Sequence, residues 1–333
     1  MPLDGSGISV VDRRNLLKIF SAAGVAAMGG HMTMQAGLPE TLPVVLSDDY
    51  EDVNTNALEL AQAIQQMSTP APDREAFVRA FQKQTKPILA DSNNLKSYLQ
   101  KMENFENSHH EDVFLTPNQN SLLGSVFRRL DRVQNVVGHG NFNVLSFDDA
   151  LKMGKRYSSV GEFPKSEKEF VEDLFSKNPR GYGFYGEKVI SNLTFKVAER
   201  EMRKIPRTGH FLYRGEPEAL YKQVRRDLGD KIFLTSGIRS IVKQTHLFLA
   251  KTIQSKGNLS RASRSLAPPG HSYHGIGDFD VGKVGFGAKN FTEDFASTDE
   301  FKRLVDLGYV DMRYPKHNLL GVRYEPWHIK VVA

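Results

Sequence analysis

The chain has no cysteine among its 333 residues. This absence excludes a disulfide framework, a thiolate nucleophile, an iron–sulfur cluster and a structural zinc site ligated by cysteine. Any metal site must therefore be built from histidine, aspartate and glutamate. Beyond the N-terminal segment, the sequence also lacks the run of about 18 apolar residues that a membrane-spanning helix needs.

Neither sign of charge is concentrated in blocks. The chain has 44 basic and 39 acidic residues, interspersed, for a formal net charge of +5. A dedicated nucleic-acid binder would gather its lysines and arginines in a patch or stripe, so we predict no nucleic-acid partner. A hydrophobic content of 40% with 10% aromatic residues is typical of a globular protein and argues against disorder throughout.

The N-terminal segment, residues 12–36, reads DRRNLLKIFSAAGVAAMGGHMTMQA. Arg13 and Arg14, followed by one variable residue, two apolar residues and a lysine, resemble a twin-arginine export signal. The apolar part, residues 19–28, is too short to span a hydrocarbon core of about 30 Å. We therefore predict a signal peptide over 1–36, a periplasmic or cell-envelope location, and no stable membrane span after processing. An amphipathic N-terminal helix of a cytoplasmic protein is the alternative.

Residues 37–180 are predicted to form a mostly helical region. Apolar residues recur three and four positions apart in several stretches, as they do on one face of a helix. These stretches are residues 55–67, 73–90, 120–137, 145–160 and 165–178. Ser146 and Ser166 begin two of them as suitable N-caps. The sequence does not show whether this region binds the cell wall or a partner, or only packs against the second half.

Near residue 180, short apolar runs and turns replace the helical pattern, which predicts a domain boundary. The second half, residues 181–333, is predicted to be a small mixed α+β domain with an antiparallel sheet, so the fold class is α+β. Expected strands lie within 231–240, 277–282 and 321–332, and expected helices run from Ser240 to Gly257 and over 298–309. The serine-rich stretch 260–265 is interpreted as a flexible loop at the rim of a cleft.

Three separated segments contain polar residues that a hydrophobic core would not select. They are residues 236–240 with Gln244, residues 272–280, and residues 325–328. The last two can supply two histidines, an aspartate and a spare glutamate, and a mononuclear catalytic zinc usually takes three such ligands and leaves one position for water. Glu325 and His328 would project to opposite sides of an extended strand unless Pro326 bends the chain.

Together the three segments resemble the zinc D-alanyl-D-alanine carboxypeptidases and related peptidoglycan peptidases that include VanY. That family carries Ser-Gly-Tyr-Arg-Ser with a glutamine four residues on, then Ser-x-His-x-x-Gly leading to an aspartate, then Glu-x-Trp-His. This chain has SGIRS with Gln244, SYHGIG leading to Asp280, and EPWH. Residues 312–315 and 321–328 also resemble the family's closing segment, so the similarity covers residues 185–333.

The resemblance implies a role for each matching residue. His274, Asp280 and His328 become zinc ligands, Glu325 becomes the general base and acid, and Arg239 becomes a catalytic residue near the substrate. The substrate-binding residues it implies are Gln244, Ser272 and Trp327, although Trp327 could equally be a packing residue.

One departure concerns the aspartate. The family usually has six residues between the first histidine and the aspartate, whereas His274 and Asp280 are separated by five. Asp278 would lie on the same strand face and is the reserve ligand. His271 and Asp278 have the six-residue gap, but His271 lacks the flanking serine and glycine of the motif, so Asp280 is favoured.

The resemblance implies an exported zinc metallopeptidase that hydrolyses peptidoglycan stem peptides. The expected activity is that of a D-alanyl-D-alanine carboxypeptidase, in which zinc activates a water and Glu325 moves the proton. Two alternatives remain: an endopeptidase that cuts peptidoglycan cross-links, and a wall-binding module without turnover. Retention of Glu325 argues against the binding module, and the oligomeric state is not predicted.

Overall fold

The computed structural model describes residues 92–331. The predicted export segment and the helices expected over 55–67 and 73–90 lie outside the described residues. Within the described part, no helix has the length and apolar character needed to cross a membrane.

The described chain has an α+β fold, as predicted. Nine α-helices, numbered here within the described residues, surround two small antiparallel sheets. The helices are α1 (Ser92–Glu103), α2 (Pro117–Val137), α3 (His139–Phe142), α4 (Phe147–Arg156), α5 (Lys165–Ser176), α6 (Glu216–Leu228), α7 (Ile241–Gln254), α8 (Leu259–Ser265) and α9 (Asp299–Asp306). The strands are β1 (Met202–Lys204), β2 (Phe211–Tyr213), β3 (Ile232–Ser236), β4 (Phe279–Lys283) and β5 (His328–Ile329).

Several helices begin where local sequence signals place them. Thr116 and Gln119 form a capping box at the start of α2, with Pro117 in the first turn. Ser146 caps α4 and Thr298 caps α9, each accepting a hydrogen bond from a backbone N–H of the first turn. The helices predicted over 120–137, 145–160 and 298–309 are thereby confirmed.

The larger sheet has the strand order β3-β4-β5, with both pairs antiparallel. The register shifts between Leu234 and Ser236, so that Ser236 pairs with Asp280. Asp280 in turn pairs with His328. One row across the sheet therefore brings together residues from all three sequence segments.

The helical region and the second half share a hydrophobic cluster. Leu130 and Val133 of α2 belong to the same cluster as Phe248 and Leu249 of α7, and all four are fully or almost fully buried. A second cluster packs against the larger sheet and includes Phe279. Through the first cluster, α2 packs against α7, and the SGIRS segment lies at the N-terminal end of α7.

Two expectations for the second half are wrong. Of the strand expected over 321–332, only His328 and Ile329 pair as a strand, because the chain turns at Pro326 and the His328 N–H donates to the Glu325 carbonyl at 3.1 Å. The stretch 260–265 is part of α8 and almost all of it is buried, instead of forming a flexible loop. Asn258 caps this helix through its side chain.

Two helix ends differ slightly from expectation. Helix α7 ends at Gln254, three residues before Gly257, and α5 begins at Lys165 with Pro164 at the cap position, so Ser166 lies inside the helix. Such shifts are common because helix ends fray.

Candidate active site

Three side chains converge beside the larger sheet. Oδ1 of Asp280 lies 3.2 Å from Nε2 of His274 and 3.2 Å from Nδ1 of His328. The three residues are 1–2% exposed, and their ligand atoms all lie within 4.8 Å of one another. Two imidazoles and a carboxylate at this spacing match the donor set of a catalytic zinc site.

The hydrogen bonds of the two imidazoles leave the converging nitrogens free to act as ligands. Nδ1 of His274 lies 3.0 Å from the Gly237 carbonyl and must donate to it, which leaves the lone pair on Nε2. Nε2 of His328 lies 3.0 Å from Oδ2 of Asp278 and donates there, which leaves Nδ1. Each imidazole is thus oriented by a partner on its far side, as metal-ligating histidines usually are.

Asp278 has no oxygen left for a ligand role. Its Oδ2 accepts from His328 and, at 3.0 Å, from Nε of Arg313, and its Oδ1 accepts from the Val331 N–H at 2.9 Å. Burial alone would raise the pKa of Asp278, but its bond to His328 and the charge of Arg313 lower the pKa well below its usual range. Asp278 therefore holds the imidazole of His328 in place from behind.

Oδ1 of Asp280 is buried and has no hydrogen-bond donor within the described residues. Buried carboxylate oxygens in folded proteins almost always accept a hydrogen bond, because an unpartnered one costs about 1–3 kcal/mol or more. This oxygen faces two imidazole nitrogens whose lone pairs also point at it. A cation bound between the three atoms would satisfy all of them, so the residues present fit a metal ion.

The imidazoles differ in how easily they release a proton. Burial, followed by the charge of Arg239, lowers the pKa of His274 to about 4. Burial would also lower the pKa of His328, but its hydrogen bond to Asp278 and the negative charge of Asp280 outweigh burial and raise the pKa to about 9. A metal ion binding here must therefore displace a proton from His328.

Arg239 donates two hydrogen bonds to neighbouring side chains of the protein. Its Nε donates to Oγ of Ser236 at 2.8 Å, and one Nη donates to Oδ2 of Asp280 at 2.6 Å. These bonds fix the Asp280 carboxylate so that its other oxygen faces the histidines. The side chain is 14% exposed, and its second Nη is not used in these two bonds.

Glu325 lies in the turn that precedes β5. Its N–H donates to the Tyr314 carbonyl at 3.1 Å, and its carbonyl accepts from the His328 N–H. Desolvation raises the pKa of Glu325 to about 7, although the nearby charges of Arg323 and His328 act in the opposite direction. A carboxyl group with this pKa can both accept and release a proton near neutral pH.

Residues 216–333 match the model of the VanY family, described as D-alanyl-D-alanine carboxypeptidase. This part of the chain is similar to the VanY family and is called the VanY-like domain below. The match contains all three motifs and confirms the resemblance seen in the sequence. No curated protein sequence matches the chain.

Three solved structures resemble part of the chain. The LdcB LD-carboxypeptidase, whose structure concerns peptidoglycan recognition, is 28% identical over 39% of this chain and 63% of its own length, with a TM-score of 0.33. A zinc-bound variant of the vancomycin-resistance D,D-pentapeptidase VanY is 24% identical over 40% and 79%, with a TM-score of 0.32. VanYB in complex with D-alanine-D-alanine is 22% identical over 43% and 82%, with a TM-score of 0.34. The chain thus spans less than two thirds of the LdcB chain.

The remaining motif residues are buried inside the VanY-like domain. Gln244 is buried and donates to the Ala267 carbonyl at 2.5 Å, and Ser272 is buried at the start of the short turn that carries His274. Trp327 is 3% exposed and packs edge-on against Phe291. These surroundings agree with the alternative that Trp327 is a packing residue.

Other residues near the site were not singled out in the sequence. Arg313 holds Asp278, and the hydroxyl of Tyr213 donates to the Gly275 carbonyl at 2.6 Å, next to His274. His271, weighed as a partner of Asp278, instead lies with Nδ1 2.9 Å from the Glu187 carbonyl and its ring against Phe184. Of Arg313 and Tyr213, only Arg313 had a sequence signal, the MRYP stretch at 312–315 that is similar to the family's closing segment.

Proposed function

We propose that this protein is an exported zinc-dependent D,D-carboxypeptidase that removes a terminal D-alanine from peptidoglycan stem peptides. The observation that carries the proposal is the unpartnered Oδ1 of Asp280, which faces the lone pairs of two imidazoles whose orientation is fixed. The VanY family match of residues 216–333 supports the substrate class.

His274, Asp280 and His328 would hold the zinc ion. When bound, zinc supplies a Lewis acid for the scissile carbonyl and makes a water molecule acidic enough to act as a nucleophile. No cysteine competes with these ligands anywhere in the chain.

Glu325 would move the proton. With a pKa raised to about 7 by burial, its carboxylate takes a proton from the attacking water and then gives it to the nitrogen of the departing D-alanine. Its position three residues before His328, in a turn fixed by two backbone hydrogen bonds, keeps base and ligand in one rigid unit.

Arg239 would have two tasks. It orients the Asp280 carboxylate through one Nη, and its remaining Nη can donate to the oxyanion or to a carboxylate of the substrate. An arginine is suited to this because its planar donors act in two directions at once.

The test uses the purified, zinc-loaded protein with a pentapeptide that ends in D-Ala-D-Ala, and separately with cross-linked muropeptides, with products identified by mass spectrometry. We expect release of a single D-alanine from the pentapeptide. Glu325→Gln should retain zinc and lower turnover by about 10²–10⁴-fold, the usual effect of losing a general base. Cleavage of cross-links alone would make the protein an endopeptidase, and binding without turnover would make it a wall-binding module.

Export belongs to the same proposal and has its own test. Replacing Arg13 and Arg14 by lysine should leave unprocessed precursor in the cytoplasm if the segment is a twin-arginine signal. Normal processing of that variant would exclude this route.

A further inference from the structure

Three basic residues, Arg239, Lys243 and His210, lie on segments that meet around Phe142 and Asn143 at the end of α3. Arg239 is followed by Ser240, whose N–H donates to the Asn143 carbonyl at 2.8 Å. Nδ2 of Asn143 donates to the Gly209 carbonyl at 3.2 Å and lies 3.3 Å from Nδ1 of His210. Asn143 thus connects the end of α3 by hydrogen bonds to the SGIRS segment and to the turn before β2.

The contact with Asn143 fixes the tautomer of His210. Because the amide nitrogen of Asn143 can only donate, Nδ1 of His210 accepts and Nε2 carries the proton. The adjoining Phe211 carbonyl accepts from the Ile238 N–H at 2.8 Å, within the SGIRS segment. His210 therefore has an N–H donor at Nε2, on the turn whose next residue, Phe211, bonds to the SGIRS segment.

Lys243 lies in the first turn of α7, four residues after Arg239. Its ammonium donates to Oε1 of Gln134 at 3.2 Å and lies 5.6 Å from the ring centre of Phe142. Both contacts are to neutral groups of the helical region. The acidic residue that acts on Lys243 from α2 is Asp131, which also lies with Oδ1 3.7 Å from Nε2 of His246.

The three side chains act on one another electrostatically. Burial, then the charge of Arg239, lowers the pKa of Lys243 to about 8. Burial, then the charges of Arg239 and Lys243, lowers the pKa of His210 to about 4. Positive potential therefore accumulates around these three residues, since the carboxylate of Asp280 is already paired with Arg239.

We propose that Arg239, Lys243 and His210 form a basic subsite that binds a free carboxylate of the substrate peptide, positioned by Gln134 and Asn143 of the helical region. The inference rests on the proposed function and assigns the helical region a part in substrate recognition. Gln134, Asn143 and His210 all precede residue 216, so the VanY-like domain does not contain the complete subsite.

A stem peptide offers its terminal carboxylate and the carboxylates of its internal residues, and the test distinguishes them. Three pentapeptides ending in D-Ala-D-Ala are compared: one with all carboxylates free, one with a terminal carboxamide, and one with its internal carboxylates amidated. Dissociation constants are measured by calorimetry with the zinc-loaded Glu325→Gln protein, in which the slowed turnover leaves most of the peptide intact during the titration. Lys243→Gln and His210→Phe are then added singly to that background.

Lys243→Gln should weaken binding of the free peptide by about tenfold or more, as expected for a lost charge-assisted hydrogen bond. The amidated peptide that lacks the carboxylate bound by Lys243 should bind Lys243→Gln as tightly as it binds the protein with Lys243. Whether that peptide is the terminal carboxamide or the internally amidated one identifies the bound carboxylate. His210→Phe should also weaken binding, and His210→Gln, which keeps an N–H donor, should restore part of the affinity. Lys251→Gln, about two turns further along α7 and paired with Glu106 at 2.9 Å, is the matched control and should bind all three peptides normally.

Equal affinities for Lys243→Gln and Lys251→Gln would overturn the subsite, as would a loss of affinity that is the same for all three peptides. These outcomes are distinct from failure of the proposed function, which is judged by turnover of the protein with Glu325 intact. A protein that binds the peptides through Lys243 but never hydrolyses them would retain the subsite and lose the enzymatic assignment.

Discussion

Two buried carboxylates in this molecule have arginine partners but different surroundings. Asp112, with a side chain 3% exposed, forms a two-pronged ion pair with Arg264 at 2.8 and 3.1 Å. Its oxygens also accept from Asn258 and from the His109 N–H. Asp280 has an arginine on one oxygen and two imidazoles, without a hydrogen bond, at the other.

The difference separates a structural ion pair from a binding site. Arg264 also donates to the carbonyls of Phe105 and Asn107, so around Asp112 both partners are saturated and nothing further can bind. Around Asp280 the protein leaves one acceptor and two lone pairs pointing at a common point. Burial and arginine pairing occur in both regions, so the unsatisfied atoms are what distinguishes the candidate site.

The largest expected effect concerns zinc affinity. Asp280→Asn should abolish zinc binding at micromolar metal, because one of three ligands loses its charge. Asp278→Asn should weaken binding by about 10–100-fold, the usual effect of removing a group that orients a ligating histidine. Zinc titrations of both variants check this, with Asp112→Asn as a control of unchanged affinity. A greater loss from Asp278→Asn would transfer the ligand role to Asp278.

The next effect concerns stability. Arg264→Met should lower the free energy of unfolding by about 3–5 kcal/mol, because Asp112 would remain buried without its partner. Arg261→Met, on the same helix and paired at the surface with Glu106, should cost only about 0–1 kcal/mol. Urea unfolding followed by the fluorescence of the single tryptophan measures both. Similar losses for the two variants would show that the buried Asp112–Arg264 pair contributes no more to stability than the surface pair of Arg261 and Glu106.

The smallest effect is a pH dependence that only the Asp280 region should show. Because the pKa of His328 is raised to about 9, zinc must displace a proton below that pH, and its affinity should rise about tenfold per pH unit from about pH 7 to 9. The proton on His328 stabilises the metal-free protein fully below about pH 6.5, and this contribution disappears as the pH rises through about 9.

Competition with a chelator across this pH range tests the prediction. Asp278→Asn removes a carboxylate that favours the protonated imidazole, so the affinity of that variant should level off at a lower pH. An affinity for zinc that does not change between about pH 7 and 9 would contradict the assignment.

Local signals predicted much of the fold. Ser146 and Thr298 cap helices where the sequence places them, because a serine or threonine oxygen needs only the next turn of backbone to act. The convergence of His274 and His328 was predictable only through the family resemblance, since no local rule brings together residues on separate elements.

The errors arise where distant partners decide the structure. Helix α8 contains serines and arginines that are typical of exposed loops, yet Arg264 is buried because Asp112, 152 positions away, neutralises it. His210 has no motif around it, and its place near the SGIRS segment depends on Asn143. The final strand shows alternating residue types, but the turn at Pro326 removes most of it from the sheet.

The pairing of Ser236 with Asp280, and of Asp280 with His328, has a consequence for how the protein matures. Side chains alternate between the two faces of a sheet, so a slip of one residue in either strand pair would turn a ligand to the opposite face. A chain folded in the wrong register would therefore be unable to capture the ion. Metal capture would then act as a quality control on folding, in which only correctly assembled molecules are stabilised and the others remain exposed to proteolysis.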